Sequence, residues 1–321
     1  MLSWSGRSSS VFDPPTLLEH FLSSPLQFFA WYLHALALRL GGPAYTPPRH
    51  RAPIRVVCIS DTHCRTQAIP PGDVLIHAGD LTNAGTVAEI QPQVDWLKRM
   101  PHPHKVVVAG NHDSFFDPTA RKDEDAHRRV DWDGVHYLES DAITLTFPTH
   151  HDRKLHVYGA PGIPRCGGDD FAFQYDRRDD VWSGTVPAET DVLVTHTPPR
   201  GHLDLPVALG CQFLLREAWR VRPSLHVFGH VHADHGKIPV HWDRGQMIYE
   251  KMMARPRRGV IRGLVDLAGW MDLTRLVWHD ATGVLWRRIW GGASKGGWMV
   301  NAALAYRDTG QLGNPVEIIE L

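Results

Sequence analysis

Five short motifs carry the residue types that a hydrolytic metal centre needs: Asp61-Thr62-His63, Gly79-Asp80, Gly110-Asn111-His112-Asp113, Thr195-His196 and Gly229-His230-Val231-His232. Hydrolysis of a phosphate ester must manage a crowded anionic centre, a poor nucleophile and a poor leaving group. Two metal ions about 3.5 to 4 Å apart address all three by polarising phosphoryl oxygens, generating hydroxide near neutral pH and fixing in-line geometry. Such a pair needs one bridging carboxylate. Asp80 suits that role, because it stands alone after an apolar run and follows a glycine that lets the backbone approach closely. We assign Asp61, His63, Asp80 and His232 to one metal, and Asp80, Asn111, His196 and His230 to the other. Mixed imidazole and oxygen ligands suit Mn, Fe, Zn, Co or Ni better than an all-oxygen Mg cage, without fixing the identity of the two divalent ions. Two carboxylates and a bridging hydroxide against two divalent ions leave about one positive charge, so the site itself attracts phosphate.

His112 adjoins a ligand without being assigned as one. A histidine beside the metals can hydrogen-bond a phosphoryl oxygen or protonate the leaving alkoxide, and it is the expected catalytic residue. Asp113 or Asn83 is expected to orient it. Asn83, Arg200 and His202 are candidate substrate contacts, since each lies close in sequence to a ligand. Phe171, Phe173 and Tyr175 are expected near the metals, either stacking a base or serving as core. Cys64, next to His63, reads as structural.

The elements that must position these residues are short apolar runs ending at the motifs: Ile54 to Ser60, Val74 to Ala78, Lys105 to Ala109, Val192 to Thr195 and Leu225 to Phe228. Nearly continuous Val and Ile runs are the pattern of buried parallel strands, and open α/β sheets place their crevices at the carboxyl ends of such strands. Val87, Ile90, Val94 and Leu97 keep a three-to-four spacing that predicts a crossover helix, and a second helix is expected from Cys211 to Val221. From Val135 to Gly159 apolar residues alternate, predicting antiparallel strands in a second sheet. The reading is an α/β sandwich of two sheets with helices outside.

The chain divides into four segments. Residues 1–52 form an N-terminal extension, with a Ser-rich start, an apolar stretch from Leu26 to Leu40, and a linker containing Gly41-Gly42-Pro43 and Pro47-Pro48. Residues 53–241 form the core. A Trp-rich helical insertion fills 242–297, with an arginine cluster at Arg255, Arg257 and Arg258, and 298–321 return to the core sheet.

Lys and Arg total 34 against 35 Asp and Glu, so no global field draws the protein to a nucleic-acid polymer, and no basic stripe marks a nuclease. The four cysteines form neither a disulfide framework nor a C-x-x-C pair, which suits a reducing, cytoplasmic compartment. Leu26 to Leu40 is interrupted by Gln27, His34 and Arg39 and is shorter than a membrane span. Segments 26–40 and 242–297 suit either a peripheral membrane contact or packing on each other or on the core.

Ile59-Ser60-Asp61-Thr62-His63, Gly79-Asp80-Leu81-Thr82-Asn83, Tyr158-Gly159-Ala160-Pro161, Thr195-His196-Thr197-Pro198-Pro199 and the run from Leu225 to His232 make the chain resemble a calcineurin-like metallophosphoesterase. More narrowly, it resembles the metallophosphoesterase domain-containing branch, which is similar to class III cyclic-nucleotide phosphodiesterases. The resemblance covers about 54–241 and 298–321. It implies a four-layer α-β-β-α fold, two metals and hydrolysis of a small or nucleotide-like phosphodiester by a metal-bound hydroxide. Some members of that branch have glycine at the position of His230 and are weakened by it; here the histidine is present. The alternatives are a phosphomonoesterase and a non-catalytic binding module stabilised by its metals.

Overall fold

The computed structural model describes residues 16–47, 52–292, 295–307 and 309–321. The Ser-rich start and Pro48 lie outside the described residues. The chain forms two compact units, one of residues 46–238 and 298–321, the other of 1–45 and 239–297.

The larger unit is built on two sheets. The first takes the order β13-β1-β2-β3-β4, with β1 (Arg55–Ile59), β2 (Val74–Ala78), β3 (His104–Val108) and β4 (His136–Tyr137) parallel and β13 (Glu317–Glu320) antiparallel along β1. The second takes the order β11-β12-β10-β9-β6-β5. Here β5 (Asp141–Phe147) pairs antiparallel with β6 (Arg153–Ala160), while β6, β9 (Val192–Thr195), β10 (Leu225–Phe228) and β12 (Gly296–Asn301) run parallel. Its far edge is β11 (Gly236–His241), and the short strands β7 (Ile163–Pro164) and β8 (Gln174–Tyr175) pair apart from both sheets. Residues 135–159 therefore do not all join the second sheet as expected. Val106 and Val107 of β3 pair with His136 and Tyr137, so the strand that precedes the alternating run closes the first sheet instead.

Burial follows the sequence pattern. Every residue of β2, β9 and β10 is buried, which is why these strands read as mainly apolar runs, broken by buried His77 and His226. Gly159 shows how closely the sheets face each other, since a Cβ there would meet Leu138 Cβ at 2.6 Å and Val108 Cγ1 at 2.7 Å. Helix α3 (Val87–Lys98) begins at Thr86, whose side chain accepts from Glu89 N–H, and packs Trp96 and Leu97 on Val57, Leu75 and Val107 of the first sheet. Helix α4 (Gln212–Val221) packs Phe213, Leu214 and Val221 on Tyr158 and Leu193 of the second. The layers run helix, sheet, sheet, helix.

The smaller unit is helical. It contains α1 (Leu17–Ser23), α2 (Pro25–Gly41), α5 (Arg244–Met253), α6 (Gly259–Leu264) and α7 (Leu267–Arg288). The N-terminal segment and the insertion, distant in sequence, share one core of Leu26, Ala30, Met252, Leu273 and Leu276. Buried Gln27 fixes the pairing by donating to the carbonyls of Met252 and Met253 at 3.2 Å each. No described helix is long and apolar enough to cross a membrane.

Candidate metal centre

Asp61, Asp80, Asn111, His196 and His230 each leave the carboxyl end of a parallel strand: β1, β2, β3, β9 and β10 respectively. The turn out of the strand must be abrupt for the side chain to face back across the sheet ends. Asp61, His63, Asp80 and His230 accordingly adopt positive φ of 54°, 46°, 55° and 68°. Such conformations cost non-glycine residues on the order of 1 to 3 kcal/mol each and persist where the surroundings hold them.

Main-chain groups do that holding. His230 N–H donates to Asp61 Oδ2 at 3.1 Å, and His112 N–H donates to Asp80 Oδ1 at 2.9 Å. Two glycines let the backbone come this near: a Cβ on Gly229 would reach 2.8 Å from Ser60 Cβ, and one on Gly110 would reach 2.8 Å from Asp80 Cγ. Asp113, fully buried, accepts from the N–H groups of Leu81, Thr82 and Gly110 at 3.1, 3.0 and 2.9 Å and from Thr82 Oγ1 at 2.7 Å. It thereby ties the loop that carries Asp80 to the loop that carries Asn111. Burial and the charge of Asp80 push its carboxyl up to about 6.

The side chains converge. His232 Nε2 lies 3.1 Å from Asp61 Oδ1 and 3.4 Å from His63 Nε2. His196 Nε2 lies 3.3 Å from Asp80 Oδ2 and 3.0 Å from Asn111 Oδ1. Three groups of donor atoms could each hold a metal ion: Asp61 with His63 and His232, His63 with Asp80 and His112, and Asp80 with His196 and His230. All seven residues expected as ligands are thus brought together.

The imidazoles are oriented for ligation. His63, His112, His196 and His232 each donate Nδ1–H to a main-chain carbonyl, those of Thr82 (3.2 Å), Asn83 (2.9 Å), Ala78 (2.9 Å) and Arg307 (3.0 Å). A carbonyl can only accept, so Nε2 is the nitrogen left to face the cluster, the arrangement that fixes tautomer and ring angle in metal-ligating histidines. Electrostatics agrees with a cation site. Burial pushes Asp61 up, but the hydrogen bond and charge of His232 together with the charge of His196 override it and hold the carboxyl far below its usual range. Asp80 is likewise raised by burial and held far below by His196. Burial pulls His196 and His232 down, yet Asp80 and Asp61 lift them to about 9. Buried carboxylates need positive charge beside them. Without metal, imidazolium supplies it, and the mixed oxygen and nitrogen donor set fits a divalent ion in its place.

A cavity of about 480 Å³ opens beside this cluster, lined on one side by His63, His112 and His232 and on others by Asn83, Arg65 and Arg307. Asn83 reaches it, although its side-chain amide donates to His63 O at 3.2 Å. Arg200 and His202 do not line this cavity. Arg200 is exposed on the turn after Pro199, and His202 is buried. The chain turns at Pro199–His202, where Arg200 N–H donates to Cys211 O and His202 N–H to Pro199 O. Of the two candidates, Asn83 orients His112, through its carbonyl at 2.9 Å from Nδ1, while the Asp113 carboxylate is filled by the loop donors above. Phe171 lies 4.8 Å from the His112 ring, whereas Phe173 and Tyr175 pack into separate hydrophobic clusters. Cys64 lines the cavity, and burial pushes its thiol up to about 11. Arg65 and Arg307 went unnoticed in the sequence. Arg65 stands two residues past His63, a signal that could have been used; Arg307 carries none.

The calcineurin-like phosphoesterase family model matches residues 54–234, a span that holds every one of these ligands. The chain belongs to that family. Among relatives, it is 34% identical over 253 residues to metallophosphoesterase domain-containing protein 1 of Homo sapiens, covering 68% of this chain and 75% of that protein. It is 37% identical over 215 residues to a UPF0046 protein of Caenorhabditis elegans, covering 61% and 70%. A probable rhamnogalacturonate lyase C of Emericella nidulans is 42% identical over 238 residues; the match takes up 73% of this chain but 22% of that much longer protein. Family membership implies hydrolase chemistry supported by divalent metal, and the converging donors are where such a metal would be held.

Proposed function

We propose that this protein hydrolyses a small, nucleotide-like phosphodiester at a dinuclear metal centre. The observation that carries the reading is the sharing of Asp80 between two donor groups, one with His63 and His112 and one with His196 and His230. A carboxylate common to two groups is what a bridge between two ions requires. Asp61, His63 and His232 would complete one ion's ligands, and Asn111, His196 and His230 the other's. When bound, divalent ions here supply Lewis acidity toward the phosphoryl oxygens and lower the pKa of coordinated water.

The chain's own residues account for the remaining work. His112 presents Nε2 toward the cluster because Nδ1 is committed to Asn83 O, so it is placed to give a proton to the departing alkoxide. Phe171, packed against its ring, limits the angles that ring can take. Arg65, whose Nη1 donates to Gln311 Oε1 at 2.9 Å, and Arg307 also line the cavity and would bring positive charge near a second anionic group of the substrate. The cavity volume falls within the range of small-molecule sites, which favours a compact substrate over a polymer.

The test is turnover of a monoester and a diester of one leaving group, with metal content measured alongside. The diester is expected to turn over faster. His112→Ala with both metals retained is expected to lower kcat by about 10²- to 10⁴-fold, the usual contribution of a general acid. A monoester preference would reassign the substrate class, and unchanged turnover in His112→Ala would remove the proton-donor role.

A further inference from the structure

Helix α7 has two apolar faces. Leu273 and Leu276 enter the core of the helical unit. On the other side Leu267, Met271, Trp278, Leu285 and Ile289 are exposed, by 78, 55, 68, 41 and 67%. Their spacings of four, seven, seven and four residues place them within about 40° of one another at 100° per residue, a stripe about 33 Å long. To either side of it lie exposed Arg275, whose Nη1 is 3.4 Å from Asp272 Oδ1, and exposed Arg288, whose Nε donates to Leu40 O at 2.7 Å. Helix α2 repeats the pattern: Phe29, Tyr32, Leu36 and Leu40 are exposed, and the helix contains no acidic residue. Between α5 and α7, Ile261 is 81% exposed on α6 beside Arg262.

The charge of this unit differs from that of the chain. Residues 1–45 and 239–297 contain twelve Lys and Arg against seven Asp and Glu, a surplus of five positive charges in a protein whose net charge is −1. The described acidic side chains are engaged within the unit. Asp272 is buried between Arg255 and Lys251, and Asp280 bonds the buried His34 at 2.9 Å. Asp243 and Asp266 cap α5 and α7, Glu19 caps α1, and Glu250 accepts from Gln246. Basic groups are thus left to dominate the outward field around the apolar stripes.

We propose that this helical unit docks on an anionic phospholipid surface, with the α7 stripe immersed at the headgroup boundary and the flanking arginines on lipid phosphates. Leucine, isoleucine and tryptophan on one face with arginine at its margins is the composition of helices that lie in the bilayer interface. Tryptophan favours that depth because its ring is apolar and its N–H polar. A protein partner would need matching acidic and apolar patches; an anionic bilayer presents both everywhere. The inference does not depend on the chemistry of the metal centre.

Flotation of the full chain with phosphatidylcholine vesicles, and with vesicles containing about 30% phosphatidylserine, tests it. Binding to the anionic vesicles, weakened by salt, is the expected result. Arg275→Gln with Arg288→Gln should lower the partition coefficient about 25-fold, at about fivefold per charge. Trp278→Ser with Leu285→Ser should lower it at least tenfold, with circular dichroism confirming the fold; Leu267→Ser serves if that pair unfolds. Absence of flotation on anionic vesicles, or flotation that none of these substitutions changes, overturns the proposal. So does a dimer in solution that the Trp278 and Leu285 substitutions dissociate, since it would assign the stripe to a second copy of the chain.

Discussion

Replacing Gly229 by alanine is expected to remove metal and activity without touching any ligand. A Cβ at this position would approach Ser60 Cβ to 2.8 Å and come closer still to Ser60 Oγ and Asp61 Oδ2. Carbon atoms normally stop at about 3.5 to 4.0 Å, so something must move by about 1 Å. Neither neighbour can do so freely. Ser60 is fully buried, donates through Oγ to Gly79 O at 3.1 Å, and receives Leu304 N–H on its carbonyl at 2.8 Å. Asp61 is pinned by His230 N–H and by His232, and its own N–H bonds Gly79 O at 2.9 Å. Overpacking of this kind costs about 1 to 3 kcal/mol in stability. The larger effect falls on function, because a shift of about 1 Å in a reacting constellation lowers rate on the order of 10²-fold.

Three measurements on Gly229→Ala check this: metal content after dialysis, denaturant unfolding, and turnover of a diester at saturating metal. Gly162→Ala is the control, since a Cβ there meets Tyr175 at an ordinary 3.5 Å. Adding Ser60→Gly to Gly229→Ala should recover part of the stability but little metal, because Asp61 Oδ2 still obstructs. Metal content and turnover in Gly229→Ala within about threefold of the wild type would refute the reasoning, as the loops would then be shown to yield.

Asp113→Ala leaves the buried N–H groups of Leu81, Thr82 and Gly110 without their acceptor; at about 1 to 3 kcal/mol for each orphaned group, a loss of about 3 to 9 kcal/mol is expected. Urea unfolding measures it, and a loss below about 1 kcal/mol would mean the loops are tied elsewhere. His226 is buried, its Nε2 bonded to Thr195 Oγ1 at 2.9 Å, and burial pulls it down to about 3. Unfolded histidine titrates near 6.5, so between about 6.5 and 3 the unfolded state holds the extra proton and stability falls as pH falls, by about 1.4 kcal/mol per unit. His226→Gln should reduce the pH dependence by that slope; an identical slope in both proteins would show that His226 does not protonate on unfolding. Arg65→Gln should raise KM about five- to tenfold with kcat nearly constant, as for a group that binds ground state and transition state alike. An unchanged KM would remove Arg65 from substrate contact.

What could be read from the sequence follows from where physical contrast exists. The strands before Asp61, Asp80, Asn111, His196 and His230 are largely buried, so Val, Ile and Leu dominate them, with His77 and His226 as buried exceptions inside β2 and β10, and each run ends close to its motif. Candidate ligands at those ends were therefore legible one motif at a time. The supports were not: Asp113 and the carbonyls of Thr82, Asn83, Ala78 and Arg307 act through main-chain groups, which leave no mark on residue identity. Arg200 and His202, a few residues past His196, sit on a turn and do not line the cavity beside the donor cluster. Helix α7 was the least legible element, because apolar residues on both of its faces erase the periodicity that would say which side is buried. Leu276 is fully buried and Trp278, two positions on, is 68% exposed, though either could fill a core. A helix folded with water on one side does not need that second apolar face for its own packing, and it is this surplus that points to a surface outside the chain.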